Sequence, residues 1–460
     1  MLGGVGRFGH RAQPVRGSFV VQNEDGRAAL AYRSNMTRLA LDDLYRIAVP
    51  SDPRLRPDGG AVAYTLTTVD RDADENRTEI WLAAPGAPPR RLAAGSAGRW
   101  SPDGRTLAFL RPVDGKPQLH LLPMDGGEPR PLTSAPLGAG APVWSPDGAR
   151  IAYAGLVAAG EGDPHAPVVA DRLGYKADGT GLLRGMTVHL FVADVATGET
   201  EQVTRGDFHA GEPSWAPDGT RLAFVASMEP GRDLEAGGAV YAVDAREGGE
   251  PDRLTDPEII CAGAWWLGER LVVAGLKGDP VGHLRLFTLG PGGPAEVETG
   301  LDRNVMIGHP GYPGAVPALL GDDLLFCARD RGSTHLYRAP GERLVPEETS
   351  VSGVSVAAGR IAYVAATPHS AGDVYLSGGT GATRLTGYAL DGVELFAPGR
   401  RTFTAPDGTP VEGFVLRDEH AATLARSCWT STVARTTPGP RSSTASTSTT
   451  RSWPPTAGPS

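Results

Sequence analysis

The residues best suited to bind a ligand lie together in one charged stretch near the middle of the chain. It reads Asp171-Arg-Leu-Gly-Tyr-Lys-Ala-Asp-Gly-Thr-Gly181 and combines the cations Arg172 and Lys176 with the ring of Tyr175 and the carboxylate of Asp178. These side chains could present charge and an aromatic face toward a channel or a neighbouring domain, since binding residues concentrate on loops that a rigid scaffold positions. The alternative is that this stretch is a solvent-exposed loop without a binding role. We predict Arg172, Tyr175 and Lys176 as substrate-binding residues.

Patterns that would support catalysis or metal binding do not occur elsewhere in the sequence. There is no H-E-x-x-H, no Cys/His cluster, no G-x-S-x-G nucleophile elbow and no Walker A loop. The stretch Gly4-Val-Gly-Arg-Phe-Gly9 matches G-x-G-x-x-G but lacks the strand and βαβ unit that the motif requires. Glu347 and Glu348 could bind an amine, although paired acids beside a turn are usually solvent-exposed. We therefore predict no catalytic residue, no metal site and no cofactor.

A repeated hairpin is the element that must position any binding loop. Arg99–Phe109, Val143–Tyr153 and Ser214–Phe224 align around Trp-Ser/Ala-Pro-Asp-Gly, and four weaker copies bring the number to seven. Proline presets the turn, aspartate bonds its own backbone there, and glycine takes the positive φ that closes the hairpin. The turns are marked by Gly59, Gly104, Gly148, Gly219, Gly268, Asp322 and Gly359, with spacings of 45, 44, 71, 49, 54 and 37 residues.

Each repeat is long enough for a four-stranded antiparallel sheet. Alternating residues follow the turn, a second alternating strand comes next (Gln118–Leu122 and His189–Val195), and a fourth strand ends in a Leu-Thr or Val-Thr pair. One such sheet cannot bury both faces, and repeats of roughly 40 to 45 residues with four strands are typical of radial propellers. An open β-solenoid would need shorter rungs. We predict an all-β fold, a seven-bladed β-propeller.

The 71-residue spacing shows where the propeller is elaborated. It exceeds its neighbours by about 26 residues, and connections of that length are usually functional or disordered. The extra residues fall between Leu156 and Thr187, so they include the charged stretch. We therefore expect the candidate binding residues to lie on an insertion in the third blade.

Composition limits the partners and the environment of the chain. Its 62 glycines and 40 prolines predict many turns, and its net charge of −9 disfavours nucleic acid or an anionic membrane as a partner. No stretch approaches the 18 apolar residues of a membrane span, and no signal peptide is recognisable. Three separate cysteines, Cys261, Cys327 and Cys428, form neither a disulfide framework nor a zinc pattern. We expect a cytoplasmic protein.

The ends of the chain differ in composition from the repeats. Residues 1–35 contain five arginines and no sustained periodicity, so we predict a disordered extension followed by a propeller over residues 36–398. Leu39, Leu41, Leu44 and Ile47 predict a short helix directly after Met36.

The repeats, the insertion and the segment Phe403-Thr-Ala-Pro-Asp-Gly-Thr-Pro-Val-Glu-Gly-Phe-Val-Leu416 together resemble the prolyl oligopeptidase (S9) family of serine peptidases. The resemblance is greatest to its acylaminoacyl-peptidase and dipeptidyl-aminopeptidase-like bacterial members and extends from Met36 to about residue 419. In that family a propeller covers an α/β-hydrolase domain and admits only short peptides to a Ser, Asp and His triad. The resemblance implies that residues 399–419 are an exit strand toward such a domain.

The composition changes abruptly after residue 419. Of the last 40 residues 18 are Ser or Thr, none is acidic, and Leu424 and Val433 are the only large aliphatic side chains. Such a segment cannot bury a core, so residues 420–460 are predicted to be disordered. Shifting the reading frame across Ser427–Pro440 permits a sequence close to the family's His-Gly-Gly-Pro motif. We therefore expect a frameshifted tail, with the hydrolase domain absent from this chain.

The sequence thus predicts the substrate-gating propeller of an S9-type peptidase, truncated and inactive alone, with short peptides and a hydrolase domain as partners. One alternative is a self-sufficient TolB-like propeller that scaffolds protein partners. Another is a propeller enzyme such as a lactonase, which needs carboxylates and histidines around a central metal.

Overall fold

Seven four-stranded antiparallel sheets follow one another along the chain, and each contains one of the predicted hairpin turns. In every sheet the four strands pair in sequence order. All seven turn markers, from Gly59 to Gly359, lie between the first and the second strand of a sheet. The sheets are the blades of a seven-bladed β-propeller, which confirms the predicted all-β fold.

The first four blades contain the most regular repeats. Blade 1 consists of Ala48–Leu55, Val62–Asp70, Glu75–Ala84 and Ala87–Ala94. Blade 2 consists of Ser96–Trp100, Thr106–Val113, Lys116–Pro123 and Arg130–Pro131. Blade 3 consists of Val143–Trp144, Arg150–Val157, Thr187–Asp194 and Thr200–Gln202. Blade 4 consists of Ser214–Trp215, Arg221–Ala226, Ala239–Asp244 and Gly248–Arg253.

The last three blades have degenerate turn sequences but the same topology. Blade 5 consists of Ile259–Leu267, Arg270–Lys277, Arg285–Gly290 and Gly293–Glu296. Blade 6 consists of Ala318–Leu320, Asp323–Asp330, Ser333–Arg338 and Glu342–Arg343. Blade 7 consists of Ser350–Ala357, Arg360–Thr367, Ser370–Ser377 and Ala382–Arg384.

The computed structural model describes residues 21–22, 28–29, 36–158, 167, 169–170, 172–177, 181–183, 185–229, 231, 233–234, 237–290, 292–309, 311–378, 381–416 and 428–432. The chain divides into two compact units, Met1–Ala397 and Pro398–Ser460. The first unit contains all seven blades.

The turn between the first two strands of blade 2 explains why the sequence Ser-Pro-Asp-Gly recurs in the repeats. The Asp103 carboxylate accepts hydrogen bonds from the Ser101 hydroxyl at 2.6 Å and from the Arg105 N–H at 3.0 Å. Gly104 has a φ of +69°, a left-handed conformation that residues with a Cβ adopt only with strain. The turn therefore needs both residue types, and the same arrangement recurs at Ser145 and Asp147 in blade 3.

The tryptophan before each regular turn joins its blade to the preceding one. The indole N–H groups of Trp100, Trp144 and Trp215 donate to the backbone carbonyls of Arg54, Arg99 and Val143, at 2.9, 3.0 and 2.9 Å. Each acceptor lies on the first strand of the blade before. The tryptophans therefore connect blades 1 to 4 in series, in addition to filling the space between them.

In four of the blades a threonine that follows the fourth strand bonds back to the third strand. The hydroxyl oxygens of Thr133, Thr204, Thr255 and Thr386 accept hydrogen bonds from the N–H groups of Leu119, Leu190, Val240 and Val374, at 2.8 to 2.9 Å. All four donors belong to third strands. The hydrogen bond therefore ties the exit of the fourth strand to the third strand at the same place in blades 2, 3, 4 and 7.

A buried polar side chain stands next to this threonine in three blades. In blade 2 it is Gln118, which accepts from the Thr133 hydroxyl at 2.9 Å and bonds both backbone groups of Ala135. In blade 7 it is Asp373, which accepts from the Thr386 hydroxyl and the Tyr388 N–H, both at 2.9 Å. In blade 3 it is His189, whose ring nitrogens lie 3.2 Å from the Thr204 hydroxyl and 3.1 Å from the Gly206 carbonyl.

Replacing His189 with glutamine is expected to make stability less dependent on pH, because Gln118 makes the equivalent bonds in blade 2. Burial lowers the pKa of His189, and the charges of His209 and Arg205 lower it further. The unfolded chain therefore binds this proton more readily, and the wild type loses stability as the pH falls below about 6.5. We expect the urea midpoint of the wild type to fall more than that of His189→Gln between pH 7.5 and 5.5; parallel profiles would contradict this.

Blades 7 and 1 close the ring through side chains. Each blade consists of four strands that are consecutive in sequence, so none combines strands from both ends of the chain. Apolar residues of the two blades instead form one buried cluster that includes Val62, Tyr64, Val364 and Val374. The hydroxyls of Tyr64 and Tyr388 lie 2.6 Å apart across this junction.

The segment before blade 1 contacts the segment after blade 7. Thr37–Arg38 pairs in parallel with Val393–Glu394. The predicted helix is a 3-10 helix over Leu41–Arg46 with no buried residue, and Leu41 is 84% exposed. Val21–Gln22 and Ala28–Ala29 pair with each other within the predicted N-terminal extension, the rest of which lies outside the described residues.

The second unit contains a three-stranded antiparallel sheet. Gly399–Thr404 pairs with Pro410–Leu416, which pairs in turn with Cys428–Thr432. The turn between the first two strands repeats the chemistry of the blades, since the Asp407 carboxylate accepts from the Thr409 N–H at 2.9 Å. The segment predicted as an exit strand thus contains a hairpin, and a strand that the composition did not predict lies in the Ser/Thr-rich tail.

Candidate functional site

A cavity of about 590 Å³ lies where the seven blades meet. It is lined mainly by the first strands of the blades and by the segments that lead into them, so it lies on the propeller axis. One lining residue from each blade, in order, is Asp52, Arg99, Ala141, Glu212, Trp265, His309 and Gly353. Because every blade contributes, the ring as a whole determines the shape of the cavity.

A buried carboxylate holds two arginines on one side of this cavity. Arg54 donates from Nε and Nη2 to Asp52 Oδ1, at 2.9 and 2.6 Å, and Arg99 donates from Nη1 to Asp52 Oδ2 at 2.5 Å. Asp52 itself has a φ of +51°, which aspartate tolerates better than most residues. Blade 1 supplies Asp52 and Arg54, and blade 2 supplies Arg99, so the group forms only when the two blades pack together.

The ion pairs determine the protonation state of Asp52. Burial by itself would raise the pKa of the carboxyl, but the charges and hydrogen bonds of Arg54 and Arg99 outweigh it and lower the pKa to about 2. Burial and the nearby charge of Arg99 lower the pKa of Arg54, although a guanidinium stays protonated throughout the physiological range. At neutral pH the group therefore carries two positive charges and one negative charge.

The opposite side of the cavity is mainly apolar. Trp265 and Ile307, from blades 5 and 6, line it together with small residues. A Cβ on Gly263 would lie 2.3 Å from the Trp265 ring and would clash with it. The position of the Trp265 ring therefore requires glycine at residue 263. The site thus combines a cationic edge with an apolar wall.

The predicted substrate-binding residues lie elsewhere, on the insertion of blade 3. Lys176–Ala177 pairs with Gly181–Leu182 as a short hairpin, and the Lys176 ammonium lies 5.7 Å from the centre of the Tyr175 ring. Arg172 forms a bidentate pair with Asp207, with both distances 2.7 Å. None of Arg172, Tyr175 and Lys176 lines the axial cavity. Their role in substrate binding stays a prediction, and Asp178 lies outside the described residues.

Sequence reasoning missed the Asp52, Arg54 and Arg99 group. Its signal was present, because Arg99 directly precedes the Trp-Ser-Pro-Asp-Gly of blade 2, and Arg54 precedes the weaker turn of blade 1. These positions belong to the innermost strands, where Ala and Gly predominate in the other blades. A charged residue at such a position is therefore unusual, and this is the sequence signal for the site.

The other reactive groups in the described ranges give no second site. Within those ranges, no group of three or more His, Cys, Asp or Glu side chains is arranged so that it could bind a metal ion. Cys261 and Cys327 are buried free thiols, and burial raises the pKa of Cys327 to about 12. The Glu347 carboxylate lies within 4.0 Å of the Arg331 and Arg343 guanidinium groups, so it already has cationic neighbours. Among the described residues, no helix has the length and hydropathy needed to cross a membrane.

Comparison with known proteins supports the peptidase resemblance. The chain is 35% identical over 220 residues to the uncharacterized peptidase YuxL of Bacillus subtilis (strain 168), a match that covers 44% of this chain and 33% of that protein. It therefore spans about a third of the curated relative. No protein-family model matches the sequence.

Solved structures with the same fold include a peptidase and the propeller domain of a protease. An acylaminoacyl peptidase of Pyrococcus horikoshii superposes with a TM-score of 0.70 at 19% identity, over 84% of this chain and 60% of that one. The β-propeller domain of the Trilobed protease from Pyrococcus furiosus, described as having an open velcro topology, superposes with a TM-score of 0.55 at 16% identity. That match covers 74% of this chain and 96% of the domain. The predicted resemblance to peptidases of this kind is thus confirmed for the propeller fold and, over 220 residues, for the sequence.

Proposed function

We propose that this chain supplies the substrate-gating propeller of a serine peptidase of the prolyl oligopeptidase type, which cleaves short peptides. The observation that carries the proposal is the 35% identity to a peptidase over 220 residues. The axial cavity of about 590 Å³ supports it, because this volume suits a peptide of a few residues and excludes a folded domain. The proposed partner is an α/β-hydrolase domain that holds the catalytic triad.

A chimeric peptidase tests the gating role. In the P. horikoshii acylaminoacyl peptidase, the segment that superposes on this propeller is replaced by residues 48–397, and cleavage of a short chromogenic peptide is compared with cleavage of a folded protein. We expect the chimera to cleave the peptide and to leave the folded protein intact. Cleavage of both substrates at similar rates would contradict the proposal.

We also propose that the 460-residue polypeptide does not hydrolyse peptides by itself. Acyl transfer needs a nucleophile, a base and an oxyanion hole held together, and the sequence has no G-x-S-x-G elbow to present a serine. The purified chain is expected to show no turnover of acylaminoacyl or dipeptidyl chromogenic substrates and no labelling by a fluorophosphonate. Stoichiometric labelling of one serine would refute this.

A further inference from the structure

The two arginines of the axial cavity keep unused hydrogen-bond donors. Arg54 uses Nε and Nη2 on Asp52, and Arg99 uses Nη1 on Asp52 and on the Gly98 carbonyl. Arg54 Nη1 and the Nε and Nη2 of Arg99 have no partner among the described residues. The side chains are 31% and 21% exposed, against 6% for Asp52. The carboxylate is thus hidden behind the guanidinium groups, and the free donors remain accessible from the cavity.

The charge of the group is also incompletely balanced. One carboxylate is hydrogen-bonded to two guanidinium groups, so these three side chains together carry one excess positive charge. Glu212, from blade 4, also lines the cavity, and its negative charge acts on Arg54 and partly offsets this excess, but its exposed carboxylate forms no hydrogen bond or close ion pair within the described part of the chain. The described residues therefore provide no second anion at hydrogen-bond distance from Arg54 or Arg99.

We propose that Arg54 and Arg99 form a carboxylate-binding subsite for peptides in the axial cavity, with Asp52 as the residue that positions both guanidinium groups. A planar carboxylate matches the donor geometry of a guanidinium and forms charge-assisted hydrogen bonds with it. The apolar wall at Trp265 and Ile307 accommodates the neighbouring side chain of the peptide. The carboxylate comes either from the C-terminus of the peptide or from an acidic side chain.

This inference takes the peptide as ligand from the proposed function, but its test measures binding alone. Failure of the chimera to discriminate by size would overturn the gating role without changing the affinity for carboxylates. Conversely, an absence of carboxylate preference would overturn the subsite and leave the gating role intact.

Calorimetric titration of the full chain with three peptides tests the subsite. They are N-acetyl-Ala-Ala-Phe with a free carboxylate, the same peptide as its C-terminal amide, and N-acetyl-Ala-Glu-Phe amide. We expect at least one of the two carboxylates to bind about tenfold or more tightly than the neutral amide, because charge-assisted hydrogen bonds are added. The first peptide reports a terminal carboxylate and the third an acidic side chain. Equal affinity of all three, or no binding of any, would overturn the proposal without recourse to a variant.

Two arginine variants then locate the effect. Arg99→Gln is expected to remove most of the preference for the carboxylate, whereas Arg105→Gln, in the exposed turn of the same blade, is expected to retain it. Thermal melting of both variants shows whether the propeller is intact. A folded Arg99→Gln protein that keeps the full preference would place the subsite elsewhere and contradict the assignment.

Discussion

Replacing Trp215 with alanine is expected to lower the free energy of unfolding by about 3–5 kcal/mol, the usual cost of removing a large buried aromatic side chain. Trp215 is only 6% exposed and packs in the cluster between blades 3 and 4. Its indole N–H donates to the Val143 carbonyl at 2.9 Å, and the Arg150 guanidinium lies 4.8 Å from the centre of its ring. The substitution therefore removes packing, a hydrogen bond and a cation–π contact together.

Urea unfolding followed by circular dichroism measures this effect, and Trp215→Phe is the matched control. Phenylalanine keeps most of the packing and loses the indole N–H, so we expect it to cost about 1–2 kcal/mol. An alanine variant within about 1 kcal/mol of the wild type would show that this side chain does not join the two blades.

Replacing Asp52 with asparagine is expected to cost about 2 kcal/mol at neutral pH. Asparagine tolerates the positive φ of this position and has a similar shape, so the change mainly removes the charge. The folded pKa of about 2, against 3.8 for the unperturbed carboxyl, corresponds to about 2 kcal/mol of stabilisation. Because the folded pKa is the lower one, this stabilisation is present above about pH 4 and is lost as the pH falls toward 2.

The stability difference between the wild type and Asp52→Asn should therefore shrink as acid is added. Urea midpoints measured at pH 7, 5 and 3 follow it, with Asp58→Asn as the control. Asp58 pairs with Arg56 on the surface of the same blade, so a small effect is expected there. A difference at position 52 that is unchanged at pH 3 would show that the ion pairs with Arg54 and Arg99 do not stabilise the fold.

The fold could be predicted from the sequence because the turn chemistry is local. Pro-Asp-Gly and the residues that alternate after it encode a hairpin within some ten residues, and the structure places a blade at every marker. Even the degenerate turns at Gly268 and Gly359 keep the positive φ that the hairpin requires. Seven repeats of one local signal were enough to determine the architecture.

The candidate site could not be derived in the same way, because it depends on contacts between blades. Asp52 and Arg99 are 47 residues apart and belong to different repeats, so no spacing rule connects them. The charged residues of the first strands are visible in the sequence. That these strands line the axial cavity becomes known only from the structure. The insertion residues had the opposite character, since Arg172, Tyr175 and Lys176 formed a conspicuous local pattern and lie outside the axial cavity.

The equivalence of Gln118, His189 and Asp373 also needed the structure. Three different residue types occupy one place in the repeat, and they share only the ability to bond the threonine that follows the fourth strand. Because the residue types differ, aligning the repeats by sequence does not reveal this position. The hydrogen bonds reveal it, since in each of the three blades the side chain bonds the equivalent threonine.

The central claim is that short peptides enter the axial cavity of this propeller. Photo-cross-linking tests it most directly: an N-acetylated tripeptide with a benzophenone side chain and a free carboxylate is irradiated with the full chain, and the adducts are mapped by mass spectrometry. We predict adducts on residues that line the cavity, such as Trp265 and Ile307. Adducts confined to the outer strands or to the insertion of blade 3 would contradict the account.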